Sequence, residues 1–179
     1  MKSVILIGYM GAGKTTIGKV LARELGVEFY DLDNYIEDRF HQTVPAIFAE
    51  KGEEGFREVE RKMLHEVAEF ENVVISCGGG TPCFFDNMDY MNTRGETIFL
   101  DASPQVLKEH LQMGKTVRPL IQGKSEEELI AYIEESLEKR LPYYRKAKHT
   151  LKIEVIHTKE QIKDYVEQIK IKVKVKNEK

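Results

Sequence analysis

The chain has 179 residues, 41% of them hydrophobic and 32% charged, which suits one soluble globular domain over 1–179 with room for a real core. A formal net charge of −3 argues against a nucleic-acid partner, so anion binding has to come from local cations. No apolar run approaches the roughly 20 residues that cross a bilayer, and the first residues enter a strand at once, so the expectation is a cytoplasmic monomer with no membrane partner and no signal peptide.

A strand is predicted over 4–7 and a helix over 14–25, with Gly26 as its stop. Between them runs Gly8-Tyr-Met-Gly-Ala-Gly-Lys-Thr15, the G-x-x-x-x-G-K-T spacing of a phosphate-binding P-loop. Glycines let several backbone N–H groups turn inward at one phosphate, and the following helix adds the positive end of its dipole. Lys14 can reach the β- and γ-phosphates, and the Thr15 hydroxyl can ligate Mg²⁺. Gly11, Ala12, Gly13 and Thr16 complete the expected ATP-binding loop.

Residues 27–33 read as a short strand ending in Asp31 and Asp33, with Asp33 also placed to cap the next helix. That helix carries Tyr35, Ile36 and Phe40 on one face. Thr43 caps a segment over 44–50, which Gly52 breaks. A longer helix follows, with Phe56, Val59, Met63, Val67 and Phe70 at helical spacing and read as core. Residues 73–77 form a continuous apolar strand that runs into Gly78-Gly-Gly-Thr-Pro82. A weak helix over 87–92, a strand over 97–100 and a helix opened by Ser103-Pro104 come next. Residues 114–123 are polar, basic and glycine-bounded, and read as a mobile loop within a lid of about 112–124. Ser125-x-x-Glu128 opens a helix that Pro142 stops near Arg140. Residues 149–155 form the last strand, and Thr158-x-x-Gln161 caps the final helix. The Lys- and Val-rich tail, 170–179, reads equally as frayed helix or solvated chain. This alternation predicts a three-layer α/β/α fold with a five-stranded parallel sheet and the P-loop at the carboxyl end of a central strand.

Many P-loop enzymes hold Mg²⁺ with an acid at the end of a second apolar strand. Here that strand ends in Ser76-Cys-Gly78, so the carboxylate has to come from elsewhere. Asp31 and Asp33 offer one acid for the metal through water and one to accept a substrate proton; the bland alternative is two solvated loop acids. Arg57, Arg118 and Arg140 each read alone as surface charges. Grouped around a P-loop they fit a small anionic substrate and a lid closing over phosphate, with Gly78, Gly79 and Gly80 allowing close backbone approach. Glu60, one turn after Arg57, can hold its guanidinium, or be an ordinary i,i+3 surface pair. Cys77 and Cys83 form no C-x-x-C and read as free thiols, and the five histidines show no ligand spacing.

Gly8-Tyr-Met-Gly-Ala-Gly-Lys-Thr-Thr-Ile-Gly18, Asp31-Leu-Asp33, the run from Phe48 through Gly52-Glu-Glu-Gly-Phe-Arg57 to Glu60, Gly78-Gly-Gly80, Arg118-Pro119 and Arg140-x-Pro-x-Tyr144 together resemble shikimate kinases. The resemblance implies a nucleoside-monophosphate-kinase-like fold and ATP-dependent phosphorylation of the shikimate 3-hydroxyl, on the route to chorismate and the aromatic amino acids. It makes ATP and shikimate the partners and Mg²⁺ the cofactor. By position it makes Asp33 the ring-binding base, Arg57 and Arg140 the carboxylate clamp, with Gly79 beside them, and residues 33–61 the substrate-binding segment. Arg118 becomes the lid arginine that reaches the phosphates, and Asp31 the acid that serves Mg²⁺ from behind its water shell. One departure stands out: some members carry an arginine early in the lid that stacks on adenine, and Leu111-Gln-Met-Gly-Lys115 has none. The rivals are a kinase for another hydroxy acid such as gluconate, and a nucleotide-gated binding protein without chemistry.

Overall fold

The computed structural model describes residues 1–114 and 122–174. Strand β1 (Ser3–Ile7) is buried at every position, because it has a parallel strand on each side and helices cover the sheet. With β2 (Glu28–Asp31), β3 (Val73–Ser76), β4 (Gly95–Ala102) and β5 (His149–Ile153) it forms a five-stranded sheet in the order β2-β3-β1-β4-β5, every neighbouring pair parallel. The chain leaves β1 toward the β2 edge and leaves β3 toward the β5 edge. These diverging connections open a crevice at the carboxyl ends of the central strands, which is where such sheets bind ligands.

The helices are α1 (Lys14–Leu25), α2 (Leu32–Phe40), α3 (Val44–Ala68), α4 (Asn87–Arg94), α5 (Pro104–Met113), α6 (Glu126–Tyr144) and α7 (Lys159–Lys174). Ile5, Leu6, Leu21, Ile75, Leu107 and Ile133 are fully buried in one apolar cluster that joins sheet and helices. Each such side chain contributes roughly 1.5–3 kcal/mol of burial free energy. Caps follow the sequence at several starts: the Ser103 and Ser125 hydroxyls accept the amides of Val106 and Glu128, each at 3.2 Å, and Thr43 accepts Ala46 N–H. Thr158 and Gln161 bond reciprocally at the start of α7. Among the described residues no helix is long and apolar enough to cross a membrane.

Four local expectations are corrected. The cap of α2 is Asp31, whose Oδ1 accepts Asn34 N–H at 3.0 Å; Asp33 lies inside the first turn, because β2 ends earlier than predicted. Pro142 does not stop α6, which runs on to Tyr144. Pro142 sits on the exposed face, where water can serve the carbonyl it leaves unbonded, and the buried Tyr144 anchors the last turn. Phe70 falls beyond the end of α3 and is 36% exposed, resting on the Tyr30 and Tyr35 rings rather than in the core. The last strand is two residues shorter than expected. Gly52 does break the helical pattern: its φ of 72° and ψ of 178° kink α3 between two helical runs. The predicted lid falls largely on residues outside those described, as does the end of the tail.

Candidate active site

The loop between β1 and α1 turns through glycines. Gly11 (φ 87°) and Gly13 (φ 100°) occupy conformations that a side chain would strain. Gly13 is also the N-cap of α1 and offers no side chain to its first amides, which therefore remain available to an anion. Lys14 folds back over the loop, its ammonium donating to the Gly8 carbonyl and, at 3.1 Å, to the Tyr9 carbonyl. Thr15 Oγ1 stands 3.4 Å from Asp31 Oδ2.

A cavity of about 480 Å³ lies over this loop. It is lined by Gly11, Gly13, Lys14, Thr15 and Thr16 on the P-loop side, by Asp31 and Asp33 from the end of β2 and start of α2, and by Gly78 and Gly79 after β3. Ala12 is buried within the loop itself. Burial, then the charges of Asp31 and Glu60, push the Asp33 carboxyl up from 3.8 to about 6, against the opposing pull of Lys14. Asp33 thus faces the cavity as an anion at neutral pH that takes up a proton easily. Its carboxylate packs against Gly78, where a Cβ would lie 3.4 Å from Oδ1.

Of the three candidate arginines, Arg57 and Arg140 lie among the described residues and converge on the glycine run. A Cβ on Gly80 would stand 2.8 Å from Arg57 Nη2, and one on Gly79 would stand 2.9 Å from Arg140 Nη1. Arg57 donates to Glu60 Oε1 at 3.0 Å, and the buried Glu60 also accepts the Thr81 hydroxyl at 2.9 Å. The Phe84 ring lies 4.1 Å from the Arg57 guanidinium carbon, with Phe56 at 5.3 Å. Among the described residues the buried Arg57 Nε has no hydrogen-bond partner, and the Glu53 carboxylate stands 3.8 Å from it. Arg140 lies over the Tyr9 ring at 5.3 Å, one helical turn before Tyr144, whose phenol donates to the Gly79 carbonyl at 2.5 Å. Two guanidiniums therefore lie against a glycine run whose Gly78 and Gly79 share the cavity with the P-loop and Asp33. Arg118 lies outside the described residues.

Sequence reasoning missed two contributors. Tyr144 closes the Arg140-x-Pro-x-Tyr144 motif, and its contact with the Gly79 carbonyl is visible only in the fold. His110, one of the five histidines without ligand spacing, stands in the cavity wall beside Met113 and Ile156. His110 carries no usable signal, since its partners are 99 and 46 residues away, and the bond from Tyr144 to Gly79 spans 65 residues. Cys77 and Cys83 are both free thiols, and burial pushes the Cys83 thiol up to about 11, so neither is poised as a nucleophile.

The family model for shikimate kinase matches residues 10–170. A shikimate kinase from Phocaeicola vulgatus is 58% identical over 173 residues, 97% of this chain and 99% of that one. The crystal structure of shikimate kinase from Bacteroides thetaiotaomicron superposes with a TM-score of 0.92 at 53% identity, covering 95% of this chain and 97% of the other. That of shikimate kinase from Acinetobacter baumannii in complex with shikimate superposes with a TM-score of 0.82 at 31% identity, covering 99% of this chain and 94% of the other. With the P-loop, the paired aspartates and the arginine-flanked glycine run folded onto one crevice, the chain belongs to the shikimate kinase family.

Proposed function

We propose that this chain transfers the γ-phosphoryl group of ATP to the 3-hydroxyl of shikimate, giving shikimate 3-phosphate and ADP on the route to chorismate and the aromatic amino acids. The observation that carries the reading is the convergence of Arg57 on Gly80 and of Arg140 on Gly79, because Gly79 lines the same cavity as Asp33 and the P-loop. A ring bearing one carboxylate and several hydroxyls asks for that arrangement. Two guanidiniums take the carboxylate, a carboxylate takes the hydroxyls, and glycine lets the backbone come close. One chain supplies every group named, which is consistent with a monomer.

In this reading Asp33 accepts the proton of the attacking hydroxyl as its oxygen bonds to the γ-phosphorus and the bond to ADP breaks. Its carboxyl, raised to about 6, is ionised at neutral pH and still basic enough to take that proton. Arg57, held by Glu60 and Phe84, fixes one end of the substrate, and Arg140, held by Tyr9, fixes the other side of the carboxylate. Lys14 exchanges its carbonyl partners for phosphate oxygens, and the uncapped amides of α1 receive the same phosphates. The Thr15 hydroxyl is a hard oxygen donor that would hold Mg²⁺, with the Asp31 carboxylate, 3.4 Å from it, placed to serve the ion through water. When bound, that ion neutralises charge on the transferring group. Arg118 is assigned to the phosphates by its place in the matching Arg118-Pro119 motif.

The test is ADP release from ATP and Mg²⁺ with shikimate, gluconate or quinate. Shikimate-dependent release is expected. Release with gluconate alone would replace the substrate and keep the P-loop chemistry, and nucleotide binding with no release would make the chain a binding protein.

A further inference from the structure

We infer that His110 is a positioning residue for the nucleotide, its imidazole tying the P-loop carbonyl of Gly11 to the backbone N–H of Ile156. The inference rests on the proposed reading of the cavity as an ATP site. His110 lies in the last turn of α5, with Nδ1 at 2.7 Å from Gly11 O and Nε2 at 2.9 Å from Ile156 N. The partners dictate the state of the ring. A carbonyl only accepts, so Nδ1 carries the proton; an amide only donates, so Nε2 is the bare nitrogen. The neutral Nδ1–H tautomer is the one form that satisfies both neighbours.

Both ends of the Gly11–Ala12 peptide are thereby held. Its carbonyl accepts from His110, and its N–H donates to Tyr9 O at 3.1 Å. A peptide unit is planar, so fixing both ends fixes its orientation and that of the amides that follow it. This matters because Gly11 and Gly13 leave the loop free to rotate, and ordering it at the moment of binding would cost affinity. The packing points the same way. A Cβ on Gly11 would lie 3.1 Å from Leu111 Cγ, and one on Gly13 would lie 3.1 Å from Ile156 Cδ1. The end of α5 thus presses on Gly11 and the segment after β5 on Gly13, the same two segments that His110 ties together, and His110, Met113 and Ile156 line the cavity together.

The experiment is a calorimetric titration of the full chain with ADP, and separately with shikimate, for wild type, His110→Phe, His110→Asn and His110→Gln. Asparagine places an amide donor near the position of Nδ1; glutamine places its oxygen near Nε2. The Phe variant is expected to weaken ADP binding about tenfold, the size of one lost hydrogen bond. Shikimate affinity is expected to stay unchanged, and the KM for ATP to rise more than kcat falls. Asparagine is expected to recover most of the loss, because it restores the Gly11 bond, and glutamine less. In 15N NMR the His110 ring of the wild type is expected to be the Nδ1–H tautomer. Unchanged ADP affinity in the Phe variant, an equal loss of shikimate affinity, or better recovery by glutamine than by asparagine would each overturn the inference. Should the Phe variant fail to fold, the Asn–Gln comparison decides alone. Since ADP binding is read without turnover, a chain that ignored shikimate yet lost ADP affinity in this pattern would refute the substrate assignment and uphold the role of His110.

Discussion

Replacing Asp33 with asparagine is expected to stabilise the unliganded protein at alkaline pH while removing most of its activity. The carboxyl is raised from 3.8 to about 6, chiefly by burial and then by Asp31 and Glu60. One pKa unit corresponds to about 1.4 kcal/mol, so holding Asp33 ionised costs the folded state on the order of 3 kcal/mol. The folded state binds this proton more tightly than the unfolded chain. The cost is therefore absent below about pH 4, grows as pH rises to about 6, and is complete above it. Asparagine removes the charge but still buries an amide, so a gain of about 2 kcal/mol at pH 8 is the working figure, or roughly 4–8 °C in Tm for a chain of this size. Thermal unfolding of both proteins at pH 4.5, 6 and 8, without nucleotide or Mg²⁺, measures it. The gain must shrink toward zero at the acid end. A gain independent of pH, or none at pH 8, would mean that Asp33 is not a desolvated anion and is not poised as a base. In the same variant kcat is expected to fall by about 10²–10⁴ with ADP affinity kept, the usual contribution of a general base. Near-normal turnover would end the assignment.

Arg57→Ala is expected to raise the shikimate KM about 100-fold with ADP affinity unchanged, and to lower stability by about 3 kcal/mol, because Glu60 is left charged in a buried site. Arg57→Lys keeps the charge but not the fork, so KM should remain high; full recovery by lysine would argue against a two-point grip on the substrate. Gly80→Ala puts a methyl 2.8 Å from Arg57 Nη2, at the movable end of a side chain. The arginine should give way, raising the shikimate KM about tenfold at little cost in Tm; an unchanged KM would place the substrate elsewhere. Tyr144→Phe removes the donor to Gly79 O and should cost about 1–2 kcal/mol in unfolding titrations. The shikimate KM should rise several-fold and the KM for ATP should not move; an equal rise in both would show general loosening instead.

What the sequence disclosed depended on how far each signal had to reach along the chain. The P-loop is legible because its spacing, the apolar strand before it and the helix after it are contiguous, and each calls for the same strand–loop–helix unit. Arg57 and Glu60 are legible as a pair because a helix sets residues three apart on one face, and the fold places them 3.0 Å from each other. The start of α2 was misread by a hair: Asp31 and Asp33 are both able to cap, and the choice between them depends on where β2 stops pairing with β3 at Ser76, which is a tertiary fact. Pro142 was misread because a proline ends a helix only when nothing repays the lost hydrogen bond, and the burial of Tyr144 beneath Gly79 cannot be seen from Arg140-Leu-Pro142. His110 lay beyond reach altogether, since its partners are 99 and 46 residues away. The division has a physical consequence for the two halves of the crevice. The side taken as the substrate's draws Arg57 and Glu60 from one helix and Arg140 and Tyr144 from another, so local helical geometry sets much of it. The P-loop wall is closed by α5 and the segment after β5 meeting across the sheet, and depends on the whole fold being in place. Damage remote from the crevice that shifts α5 or β5 should therefore weaken nucleotide binding before it weakens shikimate binding.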